Sequence, residues 1–382
     1  MVMPLAGRVV AAVAGGLLVL VAASSVTVTL IVSRPAKSRL TRWVDRMVDW
    51  AYEQVAVRVG DYRRRDQLRA TQAAAVLLGQ LAVWLLVAYI GFGLLLWPFT
   101  TRGVMSAFID AGSSLFTLGF AVPAGTAPAV IVFVAAATGL VILTLQIAYL
   151  PTLYAAFNRR ETQVALLNAR AGVPSWGPEL LARTNYALGT GVSTLDTMPD
   201  LYQRWESWGA DVAESHTTYP VLVRFRSPEA LSSWVISLLA VLDSAALFLA
   251  LSPQAAPVVP ARLCLRGGFR CFNRIAQTMG FDIPDEPGPD ATTSLTYAEF
   301  LDAVARMREV GFPIERDPAE AWPDFVGWRV NYERAAYAVA AAVYAVPAPV
   351  VRPAPAPGDA DPAHPPPTRP PAQVTRAHPA QY

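Results

Sequence analysis

Residues 105–116, MSAFIDAGSSLF, and the residues 117–123 that follow them, TLGFAVP, decide how this chain is read. The first piece has helical character, but it is too short to cross roughly 30 Å of hydrocarbon. The second reads as extended backbone, with Gly119 in its middle and Pro123 at its end. A short helix running into glycine-bearing extended chain is the form of a re-entrant loop. Irregular backbone survives at membrane depth only where protein buries it or where it lines a wet cavity. Such a helix also turns its negative C-terminal end toward the cavity, which favours a cation there.

The flanking segments make a membrane setting the expectation. Ala73 to Phe99 precedes the loop region, Ala129 to Phe157 follows it, and Val9 to Val32 lies near the N-terminus; none of the three contains Asp, Glu, Lys, Arg or His. Each exceeds the roughly 20 apolar residues a spanning helix needs. The first has Arg8 in front, as a signal peptide would, but its apolar run continues past Ala22, Ala23 and Ser24, so it reads as a retained span. Composition agrees: 54% of the 382 residues are hydrophobic and 16% charged, unusual for a soluble chain of this size.

Orientation follows from the connections. The first connection holds Arg34, Lys37, Arg39, Arg42, Arg46, Arg58, Arg63, Arg64, Arg65 and Arg69, whereas the second has only Arg102. The basic side is cytoplasmic by the positive-inside rule, so the N-terminus is expected outside and the C-terminal region inside an inner (plasma) membrane. Arg159 and Arg160 directly after the third span fit that exit. Within the basic connection, Trp43, Val44, Met47, Val48, Ala51 and Val55 recur at helical spacing between Arg42, Asp45, Arg46, Asp49 and Glu53. This predicts an amphipathic helix, either lying on the inner leaflet among anionic lipid or packed on neighbouring protein.

Leu231 to Leu251 is a fourth apolar run, but it carries Asp243 and both its ends are basic, with Arg224 and Arg226 before it and Arg262, Arg266, Arg270 and Arg274 after it. A helix with two cytoplasmic ends belongs inside a soluble bundle, and its aspartate is expected to be paired there. Tyr297 to Val310 and Arg334 to Val346 read as further helices, the former capped by Thr293 or Ser294. The six tryptophans from Trp176 to Trp328 read as core or interface anchors. The proline-rich residues 347–382 lack core side chains; they are expected to be extended and disordered, and their composition suits a polyproline-binding partner. The expected division is therefore 1–36 first span, 37–72 basic linker, 73–160 pore domain, 161–346 cytoplasmic helices and 347–382 tail.

Enzymatic chemistry finds little footing. Cys264 and Cys271 lack zinc or disulfide spacing, and His216, His364 and His378 are scattered. Gly189-Thr190-Gly191 lacks the strand and third glycine of a dinucleotide site. Glu214, Ser215 and His216 are chain neighbours, which rarely converge as a triad, and no nucleophile elbow accompanies them. A net charge of +2 gives no reason to expect nucleic acid.

The order of span, short helix, FTLGFAVP (residues 116–123), then VIVFVAAATGLVILTLQIAYLPTLYAAFNRRE (residues 130–161) resembles the two-transmembrane potassium channel family, bacterial type with a helical cytoplasmic C-terminal region. In that family a Thr-x-Gly-Tyr-Gly filter precedes a pore-lining helix. The resemblance covers Ala73 to Glu161. It implies that Thr117, Leu118, Gly119, Phe120 and Ala121 occupy the filter, whose carbonyls replace the ion's hydration shell. It implies further that Gly139 and Pro151 are gating hinge positions. Phe120 stands for the family's tyrosine, Ala121 for its second filter glycine and Val122 for the acid that usually follows. Ala121 would be strained if the filter required left-handed backbone there.

The expectation is an all-α membrane protein with three transmembrane helices and a re-entrant pore helix and loop. It would act as a homotetrameric potassium-type cation channel, with no cofactor beyond the permeant ion. The alternative is a non-conducting scaffold or sensor on the same fold.

Overall fold

The computed structural model describes residues 5–32, 38–100, 103–185, 194–288 and 291–346; the tail and the Gly189-Thr190-Gly191 segment lie outside the described residues. All regular structure among the described residues is helical. Four helical runs are long and apolar enough to cross a membrane: Ala6–Leu30, Tyr62–Phe99, Thr126–Ala171 and Trp234–Leu251. The chain divides into two units, one of residues 1–58 and 71–155, the other of residues 59–70 and 156–382.

In the first unit, α1 (Leu5–Leu30), α2 (Arg39–Ala56) and, further along the chain, a second short helix gather around one long apolar helix. Numbered in chain order, α3 (Tyr62–Ala70) belongs to the other unit and α4 (Gln72–Leu96) is the central helix here; the short helix is α5 (Val104–Leu115). The last helix of the unit is the first part of α6 (Thr126–Ala171). Small residues set the spacing between α1 and α4. A β-carbon on Gly15 would lie 2.6 Å from the Gly91 carbonyl oxygen, and one on Gly91 would lie 3.0 Å from that of Gly15. Only glycine allows so close an approach, the usual device where lipid supplies no hydrophobic drive between helices. Trp84, Ala88, Phe92, Leu115, Ala135 and Ile142 form the core of this unit.

Several polar side chains of this unit pair across helices. Trp84 donates its indole N–H to Ser25 Oγ at 2.9 Å, and Ser25 in turn meets Ser38 at 2.6 Å. Ser38 caps α2 by accepting from the Thr41 amide at 3.0 Å. Asp45 accepts from Gln80 at 2.9 Å and Asp49 from Gln72 at 2.7 Å. Thus α2 turns Thr41, Val44 and Asp45 inward, while Trp43, Met47, Trp50, Arg42 and Arg46 remain exposed. One face of α2 packs on protein, and the other keeps tryptophans and arginines outward.

The second unit is a bundle built around α9, numbered after α7 (Gly177–Thr184) and α8 (Met198–Thr218); α9 itself is Trp234–Leu251. Around it lie α7, α8, α10 (Val258–Thr278), α12 (Pro318–Arg329) and α13 (Glu333–Ala342), with α11 (Tyr297–Glu309) packed on α7 and α12. Protein covers 94% of the apolar α9 window, against 22–33% for the other three runs. Its surroundings are therefore side chains and not lipid, as the basic flanks imply. Asp243 finds its counter-charge in Arg329 and also accepts from Tyr332 Oη at 2.8 Å, while Arg329 reaches Glu333 at 2.8 Å.

The first unit ends at residue 155 where the sequence division has 160, and further details differ as well. Residues 37–72 are not one linker, because α2 goes with the first unit and α3 with the second. The cap of α11 is Thr296, in a reciprocal box with Glu299, and not Thr293 or Ser294, which are held by Glu333. The α6 helix runs unbroken through Gly139 and Pro151 for 46 residues.

Candidate functional site

The segment after α5 is tied to that helix by one serine. The Leu118 and Gly119 amides donate to the Ser113 carbonyl at 2.8 and 3.2 Å, and the Ala121 amide donates to Ser113 Oγ at 3.0 Å. Together with Thr117 N–H on the Ser114 carbonyl at 2.9 Å, the Leu118 bond closes α5 in a Schellman arrangement. That closure demands a left-handed residue, and Thr117 supplies it with φ of +55°. Gly119 is left-handed as well, at +73°. Ala121 is not among the residues of positive φ, so the strained non-glycine position is Thr117 and not Ala121.

These amide bonds fix the opposite groups too. Across a trans peptide the carbonyl of one residue points away from the N–H of the next. With the amides of Leu118, Gly119 and Ala121 drawn to Ser113, the carbonyls of Thr117, Leu118 and Phe120 face away from α5, and no described group donates to them. The Thr117 hydroxyl turns back to the Phe116 carbonyl at 2.8 Å. Leu118, Phe120 and Val122 are 63%, 66% and 85% exposed, so the loop shows apolar side chains to its surroundings.

The root of the loop is locked from behind. A β-carbon on Gly139 would stand 1.9 Å from the Leu115 carbonyl oxygen, so the α6 backbone touches the end of α5 directly. Gly139, which the resemblance marks as a hinge, is here a point of contact within the continuous run of α6. Ala135, Ile142 and Gln146 share its buried face, and no described group pairs with Gln146 Oε1. Pro151 interrupts the hydrogen bonding of α6 without ending the helix.

Sequence reading missed Ser113 and Asp110. Ser113 was legible only as a serine in the last turn of a helix, where side chains often compete for backbone amides. Asp110 is a half-buried carboxylate one turn before Ser113 and the one ionisable side chain of α5.

The other candidates have structural partners. His216 Nε2 meets the Arg160 guanidinium at 2.9 Å, and Arg160 also reaches Glu161 and the Leu222 and Phe225 carbonyls. Ser215 donates to the Asp211 carbonyl at 2.7 Å, so no triad forms. Burial pushes the Cys271 thiol up to about 12 and that of Cys264 higher, leaving both unreactive. No cluster with metal-ligand character occurs among the described residues. Compared with protein-family models, with characterised proteins and with solved structures, the chain matches none.

Proposed function

We propose that the chain is the subunit of a cation channel, a homotetramer in which four copies of residues 117–121 form the ion path. The observation carrying this reading is that the Leu118, Gly119 and Ala121 amides bond to Ser113, which by peptide geometry turns the carbonyls of Thr117, Leu118 and Phe120 away from α5, without described donors. A ring of such oxygens replaces water around a dehydrated potassium ion, and one chain contributes only one row. The negative end of α5 and the Asp110 carboxylate add to the attraction for a cation. Membrane lipid surrounds the assembly.

Flux of potassium and sodium into liposomes holding the full chain tests this. Gly119→Ala is expected to abolish flux with insertion unchanged, because +73° is a backbone conformation alanine adopts only with strain. Asp110→Asn is expected to lower cation flux several-fold with the same oligomer retained. Equal flux through both variants would exclude this segment as the path.

One observation favours a non-conducting scaffold instead. Left-handed backbone occurs at Thr117 and Gly119 but not at Ala121, so the outer half of the loop lacks the alternation of the inner half. A wild-type tetramer without flux for any monovalent cation is the outcome that selects this second reading.

A further inference from the structure

Along α10, Arg262, Arg266, Arg270 and Arg274 stand at intervals of four, which places them on one exposed side of the helix. They line a groove of about 890 Å³ whose apolar wall includes Phe269 and Trp328. Arg274 has Glu214 at 3.6 Å and Arg262 lies 5.8 Å over the Trp328 ring. Arg266 and Arg270 pair with no carboxylate among the described residues. Like charges at this spacing repel one another and weaken the helix that bears them, so the row is best held against an anion.

Two further observations restrict the ligand. Asn273 lines the same groove at 6% exposure, and no described group pairs with its Oδ1. Its amide adds a neutral polar group to the groove beside the arginines. Asp285 and Glu286 line the groove as well, and Asp285 accepts from Gln277, on the last turn of α10, at 2.9 Å. Their charges oppose an anion at that end and leave the stretch from Arg262 to Arg270 for it.

We propose that this groove binds a phosphate-bearing ligand, with the phosphate on Arg266 and Arg270 and an apolar or aromatic portion against Phe269 and Trp328. Guanidinium groups match phosphate oxygens in a two-pronged fork, which a row of lysines would not provide. The chemistry is shared by a soluble phosphoester and a lipid headgroup. Exposed Val259 and Leu263 beside the arginines suit an acyl chain, and the Trp328 face suits a planar ring. The site does not depend on conduction, and its test reads binding alone.

The test titrates the full chain, purified in neutral detergent, with inorganic pyrophosphate, ATP and dioctanoylphosphatidic acid. The wild type is compared with the double variant Arg266→Gln/Arg270→Gln and with Arg308→Gln, an exposed arginine elsewhere. Unchanged melting of each variant without ligand establishes that it is folded. The expected result is wild-type binding that weakens with salt, falls about tenfold or more in the double variant and is kept by Arg308→Gln. Binding of ATP or pyrophosphate identifies a soluble source, and binding of phosphatidic acid alone a headgroup. No binding of any probe to the wild type, or equal affinity in the double variant, overturns the proposal.

Discussion

Gly139 and Thr117 lie at opposite ends of what a side chain can tolerate. At Gly139 there is no room, since a methyl group would enter the Leu115 carbonyl; at Thr117 there is room, but φ of +55° crowds a β-branched side chain against its own backbone. Gly139→Ala is therefore expected to destabilise the first unit by about 1–3 kcal/mol or more, the range for overpacking. Gly16→Ala, with nothing within 4 Å, serves as its control in the same thermal unfolding measurement in detergent. The left-handed backbone at Gly119 was legible in the sequence, because a lone glycine in an extended apolar stretch points to special backbone. The strain at Thr117 was not, because it follows from how α5 ends, and helix ends are set by tertiary hydrogen bonds that pattern alone does not encode. Ser113 stayed hidden for the same reason.

At the scale of elements, α9 shows how charge outside a helix can reveal its surroundings. Its hydropathy equals that of a span, and the arginines flanking Leu231 to Leu251 identified it as a protein-covered helix before its neighbours were known. What the sequence did not reveal was the partner of Asp243, since Arg329 lies 86 residues away. Removing one member of a buried pair leaves the other charge uncompensated. Arg329→Met is expected to cost the second unit about 3–5 kcal/mol, and adding Asp243→Leu to recover much of it, because an apolar pair of similar volume often does as well as the ions. Denaturant midpoints of the three proteins check this. Equal loss in the single and double variants would show that Arg329 acts by packing and not by charge.

For the whole molecule, α6 runs from residues of the first unit into residues of the second, and Arg160 with its partners is one of the groups that hold its C-terminal part. Burial and the neighbouring Arg160 charge hold His216 well below the usual histidine range, so it is neutral in the folded chain at pH 7. The network gives Nε2 the acceptor role toward Arg160 and leaves the proton on Nδ1, next to Ser215 Oγ at 3.1 Å. A histidine with a depressed folded value binds its proton first in the unfolded chain. Its contribution is complete above about pH 6.5 and declines as pH falls from there toward the folded value, by at most about 1.4 kcal/mol per pH unit. Hydrogen exchange of α8 amides in the full chain between pH 7 and 5 should show that decline, and His216→Gln should flatten it. A slope unchanged in the variant would assign the acid sensitivity to other groups. The all-helical class and the long apolar helices were legible from hydropathy, which is a property of segments. The division of residues 37–72 between two units was not, because it depends on contacts such as Arg226 with Asp66, 160 residues apart.

The hydroxyl cluster at Ser25 has a history as well as a geometry. Its three partners leave the ribosome at different moments: Ser38 and Thr41 come 13 and 16 residues after it, and the Trp84 indole 59 residues after it. At roughly 5–20 residues per second, α1 waits about 3–12 s for that indole. The start of α2 is therefore the first partner the chain order offers Ser25, and α4 brings the last.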